Sequence, residues 1–161
     1  MNATAPVTEF RIREVGIDDL EEVLRHRRQM FFDMGYRDEA ALDSMIGHSR
    51  PCVAKYLSEG SYKGWFAVAQ DGEIAAGVGL IITELVSGPL RPDQIQRPYL
   101  LNVYTYPQFR KMGFARKLTE LAIEYCRNQK FGIVWLHASE YGRALYESLG
   151  FVPTNEMKLM L

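Results

Sequence analysis

Residues 99–118, YLLNVYTYPQFRKMGFARKL, constrain the fold more than any other stretch. An apolar run from Tyr99 to Tyr106 stops at Pro107, and Arg110, Lys111, Gly113 and Ala115 follow. From Ala115 the apolar positions Leu118, Leu121, Ala122, Tyr125 and Cys126 recur at three and four, the spacing of one helix face. The order is strand, basic glycine-containing turn, helix. That order suits an anion, because the first turn of a helix has backbone N–H groups without partners and a partial positive charge. Gly113 has no Cβ, so a phosphate can approach the main chain closely. Arg110, Lys111, Arg116 and Lys117 place four cations in eight residues with no acid among them. The turn matches neither G-x-x-x-x-G-K-[ST] nor G-x-G-x-x-G. A strand–turn–helix with a solvated basic rim accounts for the same residues.

Composition narrows the function class. The 161 residues are read as one domain, 1–161, with a single core. Net charge is −1, from 19 basic and 20 acidic residues, which argues against a general nucleic-acid binder. The basic cluster is local and suits a small polyanion better than a long one. A nucleic-acid module built on residues 110–117 would bind in a salt-sensitive way, but the stretch lacks an aromatic platform. Cys52 and Cys126 make no disulfide framework, and Cys126 falls on the apolar helix face as a buried thiol. No Cys/His spacing resembles a zinc site, so no metal is expected. The opening MNATAPVTEFRIREVG lacks the apolar core of a leader. The longest apolar run, about residues 74–82, is far short of a membrane span. These readings lead to an expectation of a cytoplasmic protein with no membrane partner.

Taken in order, Phe10, Ile12 and Val15 form an opening strand that Gly16 breaks. Asp18 with Glu21 resembles a capping pair for a helix whose apolar face is Leu20, Val23, Leu24 and Phe31. Arg27 interrupts that face, and a snorkelling side chain or a contact to an anionic acceptor accounts for it. Gly35 is a helix stop. A second helical stretch from about residue 38 to 57 is expected to break or kink near Pro51. Residues 58–64 read as a turn and 65–70 as a strand, and Asp71-Gly72 as a two-residue hairpin. The return strand, 73–85, is expected to bulge at Gly77 and Gly79. Residues 86–98, with three prolines, read as a loop. Beyond the central unit, residues 132–138 read as a strand buried on both faces. Ser139 caps a short helix over 140–149, Gly150 ends it, and 151–161 form a last strand. The predicted order is β-α-α-β-β-β-α-β-α-β, an α/β fold with a central mixed sheet flanked by helices. The ligand belongs at the carboxyl end of the central strands.

Two motifs in this order resemble the GNAT superfamily of acyl-CoA-dependent N-acyltransferases. The family's [RQ]-x-x-G-x-[GA] turn is matched by Arg110, Lys111, Met112, Gly113, Phe114 and Ala115. Its late Ala-x-x-x-Tyr-Glu-x-x-Gly-Phe pattern recurs in a shorter form from Ala144 through Tyr146 and Gly150 to Phe151. The resemblance implies an N-acetyltransferase that moves an acetyl group from the co-substrate acetyl-CoA to a primary amine of a small molecule or peptide. It implies that backbone groups of Val103, Tyr104 and Thr105 pair with pantetheine. The N–H groups from Lys111 to Arg116 would hold the pyrophosphate. Ser139 stands where many members have Asn, and Tyr146 matches the tyrosine facing the thioester sulfur. Phe31, Phe32 and Tyr36 fall where the family's acceptor site lies, although core packing accounts for them equally. Asp33, Asp38 and Glu39 nearby would attract a cationic amine. Relatives often dimerise, so a homodimer is allowed. The competing reading from another class is an acyl-CoA-binding regulator without turnover.

The chemistry adds its own demands. An alkyl amine of pKa about 10.4 is neutral only about one part in a few thousand at pH 7, so a proton must be removed. Attack through a tetrahedral intermediate makes an oxyanion and then a thiolate. Proton transfer from an ordinary Tyr, pKa near 10, to a thiolate near 8.5 is uphill by roughly 2 kcal/mol, so Tyr146 fits a hydrogen-bond role better than an acid role. No carboxylate lies within 99–106. Glu84 is one candidate base, and water ordered by Asn102 or Tyr104 is another. Tyr146 also reads as a core aromatic beside Leu145 and Leu149. His137 reads as structural, and His26 and His48 as exposed.

Overall fold

The computed structural model describes residues 9–161. The first eight residues, half of the stretch read as lacking a leader core, lie outside the described residues. Strand β1 (Phe10–Glu14) pairs antiparallel with β2 (Tyr62–Ala69), β2 with β3 (Ile74–Glu84), and β3 with β4 (Gln96–Thr105). Strand β5 (Trp135–Leu136) joins β4 in parallel, so the spatial order of the sheet follows the chain. Helices α1 (Leu20–Asp33) and α2 (Glu39–Glu59) link β1 to β2, α3 (Phe114–Asn128) links β4 to β5, and α4 (Glu140–Ser148) follows β5. The sheet is covered on both faces. Trp65, Leu80, Leu100, Leu118 and Ala122 form one core with α3, and Val23, Leu24, Val53, Phe66 and Val68 another with α1 and α2. Successive residues of β2 point to opposite faces, which is why 65–69 is apolar throughout.

Several elements differ from the sequence expectation. Asp19 precedes α1 and closes a 3-10 turn over Ile17–Asp19, its carboxylate accepting from Gly16 N–H at 2.7 Å and from Arg13; Asp18 and Glu21 form no such pair. Helix α2 runs unbroken through Pro51. Its Asp38 cap accepts from Ala41 N–H at 3.0 Å, and Leu42 and Val53, on either side of the proline, are both buried. Packing of both halves outweighs the roughly 3 kcal/mol a mid-helix proline costs. Strand β2 begins at Tyr62, inside the predicted turn. The hairpin loop has three residues, closed by Ala69 N–H to Glu73 O at 2.8 Å, with Gly72 at φ +92°.

Pro98 lies inside β4 and is opposite Ile82. Ile82 N–H bonds to Ser61 O at 2.9 Å on the β2 side, so the pair is a non-hydrogen-bonded one and the missing proline N–H costs the β3 ladder nothing. Strand β5 is only two residues long and half-buried. Residues 151–161 form no strand, since β5 offers too short an edge to fix one. Met157, Leu159 and Met160 are exposed, and Glu156 holds on through Arg97. His26, expected at the surface, is 1% exposed. No helix among the described residues is long and apolar enough to cross a membrane.

Candidate active site

The site begins at a bulge. Gly77 pairs with Tyr104 and Gly79 with Leu101, so β4 has one extra residue over this interval. The expected irregularity beside Gly77 and Gly79 is present, but the inserted residue belongs to β4. Asn102 there has φ +51°, which its short polar side chain tolerates better than most. The bulge resets the side-chain alternation. Leu100 and Val103 both pack on the α3 side, whereas Asn102 and Tyr104 turn to α1. The ladder to β5 stops at Leu100, where the bulge starts, and the two strands separate beyond it.

This separation leaves a free edge. Tyr106 N–H bonds to Ala75 O at 3.0 Å, so by alternation the main chain of Tyr104 also faces β3. The N–H and C=O groups of Val103 and Thr105 face the other way, along the edge β5 does not cover. Of the three predicted backbone contacts, Val103 and the N–H of Thr105 therefore face the free edge and Tyr104 does not. Thr105 O accepts from Arg110 Nε at 3.1 Å.

The turn follows directly. After a short turn of 3-10 helix, Pro107–Phe109, Gly113 takes φ +85° and α3 starts. The helical ladder opens with Lys117 N–H to Gly113 O at 3.0 Å. Among the described residues, no acceptor meets the N–H groups of Lys111, Met112, Gly113, Phe114, Ala115 or Arg116. Phe114 is buried and stacks edge-on against Phe10, 4.7 Å between centroids, which anchors the helix start. The cations are less free than the sequence implies. Arg110 folds back onto Asp33, and Arg116 reaches Glu120 at 3.4 Å and Ser148. Lys111 and Lys117 are exposed and make no ion pair among the described residues. The turn thus presents main-chain donors more than guanidinium groups.

Ser139 caps α4, its Oγ accepting from Gly142 N–H at 3.1 Å. Tyr146 packs against the α3-side core and edge-on to Phe151, with centroids 5.8 Å apart. Its ring lies over Gly142, where a Cβ would come within 2.8 Å of it. Burial pushes the Tyr146 hydroxyl up to about 12. Phe31 and Tyr36 meet edge-on at 5.6 Å, Arg37 lies over Phe32, and Tyr36 is 58% exposed, so the three aromatics rim the end of α1 without forming a closed pocket. Glu84 is not brought to this group. It is exposed and pairs with Gln96 at the start of β4, six residues from Asn102, or about 20 Å along the strand.

A second set of residues joins Asp33, expected from the sequence to attract a cationic amine, to three others that the sequence did not mark as a site. Glu22, His26, Gln29 and Asp33 recur at four, three and four along α1, and this polar stripe faces β4. Asp33 accepts from Gln29 at 2.9 Å, from Tyr104 at 3.2 Å and from Arg110. Burial opposes its ionisation, but these donors outweigh it and hold the carboxyl below its usual range. Glu22 accepts from Tyr106 at 2.9 Å and is lowered likewise, burial again being outweighed by His26, Tyr106 and Arg25. His26 Nε2 stands 3.0 Å from Glu22 Oε1, off the line of a hydrogen bond. The four-three-four spacing was the available signal.

A five-stranded mixed sheet with one bulged, splayed central strand, running into a helix start of open N–H groups, defines a class of protein that can lay an extended thioester along a strand and a diphosphate on the turn. The acetyltransferase (GNAT) family matches residues 20–151, and the chain belongs to that family. Its members are acyltransferase enzymes. The crystal structure of a GCN5-related N-acetyltransferase from Ralstonia eutropha is 36% identical, with TM-score 0.89 over 95% of this chain and 99% of that one. A predicted acetyltransferase with acetyl-CoA from Clostridium acetobutylicum shares the fold at 19% identity, TM-score 0.84, over 95% and 96%. Glucosamine-6-phosphate N-acetyltransferase from Arabidopsis thaliana does so at 19% identity, TM-score 0.65, over 95% and 98%. A comparison with curated proteins finds no match.

Proposed function

We propose that this enzyme transfers an acetyl group from acetyl-CoA to a primary amine by direct attack. The observation that supports this best is the run of unpartnered N–H groups at residues 111–116, set beside the free edge of β4. In this reading the turn grips the diphosphate and the main chain of Val103 and Thr105 holds the pantetheine amides. The amine nitrogen attacks the thioester carbonyl, the C–N bond forms, and the C–S bond breaks with its electron pair going to sulfur. Tyr146 stays protonated at neutral pH and donates a hydrogen bond to that sulfur. Full proton transfer from a hydroxyl near 12 to a thiolate near 8.5 would be uphill by roughly 5 kcal/mol, so the proton the thiolate finally takes comes from solvent. Asp33 and Glu22 are held below their ordinary range and are poor bases, so the proton of the amine passes to water.

The test is release of free thiol when the protein is mixed with acetyl-CoA and a panel of primary amines. Thiol release that depends on one class of amine supports the reading. CoA binding with no release above background for any amine would instead favour a non-catalytic acyl-CoA-binding regulator.

A further inference from the structure

Arg27 does not reach for water. It is half-buried, its Nη1 donates to Asn102 Oδ1 at 3.2 Å, and its guanidinium carbon stands 5.2 Å from the centre of the Phe31 ring. Burial draws its pKa down, with only Tyr62 and Cys52 acting against it and no carboxylate contributing. Among the described residues it makes no ion pair, while nine other arginines do. The first eight residues, MNATAPVT, contain no Asp or Glu to supply one. A half-buried guanidinium without a counter-charge is costly and marks a place where an anion would be stabilising.

The neighbours of Arg27 point the same way. Asn102 is 3% exposed, its Oδ1 is taken by Arg27, and its Nδ2 is buried with no acceptor among the described residues. That Nδ2 leans toward the Tyr62 hydroxyl without hydrogen-bond geometry. Tyr62 is buried, its hydroxyl is pushed up to about 12, and it stays a donor at neutral pH. Among the described residues the cluster therefore has a cation, an unsatisfied amide N–H and a phenol, and no acid. It sits on the bulge, one residue from Val103 and the free edge of β4. A single guanidinium with two neutral donors matches one negative charge.

We infer that Arg27, Asn102 and Tyr62 bind a carboxylate on the acceptor, so that the acetylated amine belongs to an amino acid or a similar amino-carboxylic compound. This rests on the transferase reading above and adds the acceptor's chemical class to it. Arg27 is then a specificity-determining residue that touches the substrate away from the reacting atoms.

The experiment compares amine acceptors in matched pairs, each an amino acid and its primary amide, with thiol release expressed per neutral amine. In the wild type the acid should show a KM at least tenfold below that of the amide. Arg27→Gln should raise KM for the acid at least tenfold and leave that for the amide within twofold. Arg27→Lys, which keeps the charge, should recover part of the difference and carries the comparison if the Gln variant folds poorly. Equal KM values for acid and amide in the wild type, or equal losses for both in the variants, would overturn the inference and leave Arg27 as a brace for the bulge. Thiol release with other primary amines but with neither the acids nor their amides would overturn the inference; if no amine of the panel releases thiol, the transferase reading fails, and the carboxylate site is read directly by NMR of 15N-arginine-labelled protein. The Arg27 signal, identified by its loss in Arg27→Lys, should move with the acid and not with the amide. No movement, or the same movement with both, would overturn it.

Discussion

Tyr146 shows how environment decides chemistry at the scale of one residue. The proposed function sets it against the thioester sulfur, and its burial makes it a weaker acid than a free tyrosine. Tyr146→Phe should lower kcat ten- to a hundredfold and change the Kd for acetyl-CoA less than threefold, by steady-state kinetics and calorimetry. The alkaline limb of the pH–rate profile should remain where it is in the wild type below about pH 10, because a hydroxyl near 12 does not titrate there. An unchanged kcat would remove Tyr146 from the mechanism. Tyr146 and Gly113 were legible because each sits in a short local pattern. The pairing of Arg110 with Asp33 joins residues 77 apart and was not. It also takes up one of the four cations that made the turn look so basic.

At the scale of elements, two positions test how tightly the backbone is specified. Gly113 adopts φ +85°, and a Cβ built there meets nothing within 4 Å. Gly113→Ala therefore carries backbone strain without a clash, about 1–2 kcal/mol, and Tm should fall by only a few degrees. On the proposed seating of the diphosphate at this turn, the Kd for CoA should rise more than tenfold; an unchanged Kd would place the phosphates elsewhere. Gly79 is the opposite case. A Cβ there would lie 2.2 Å from the Tyr62 hydroxyl, which is buried and cannot swing away. Gly79→Ala should cost about 1–3 kcal/mol by urea denaturation, in the range for overpacked cores. The element sequence through α4 was readable from periodicity and caps. The length of β5 was not, because it depends on where the β4 bulge parts the two strands. The unbroken path of α2 through Pro51 was not either, because it depends on what both halves pack against.

For the whole molecule, acid should be the revealing denaturant. Asp19 is held low by Arg13, and Asp33 and Glu22 by donors that outweigh their burial. Each folded pKa thus lies below its unfolded value of about 4, so the unfolded chain takes up protons first as pH falls. Stability should be fully present above about pH 5 and be lost progressively below pH 4, followed as the urea midpoint against pH. Asp33→Asn should make that fall shallower. The exposed end of the chain should contribute little. Removing residues 157–161 should shift Tm by no more than about 2 °C, and a larger fall would show that another surface covers Met157, Leu159 and Met160.

By itself, the order of residues determined what depends on near neighbours. That includes the strand–turn–helix at residues 99–118, the Ser139 cap, the helix periods and the family to which these motifs belong. Only the tertiary structure decided that the extra residue falls at Asn102, that Arg27 lies on it without a counter-charge among the described residues, and that the acids of α1 are depressed. Those features arise from contacts between residues some 75 positions apart. Local propensity has no information about such contacts, and burial, which sets their energies, is a property of the packed chain alone.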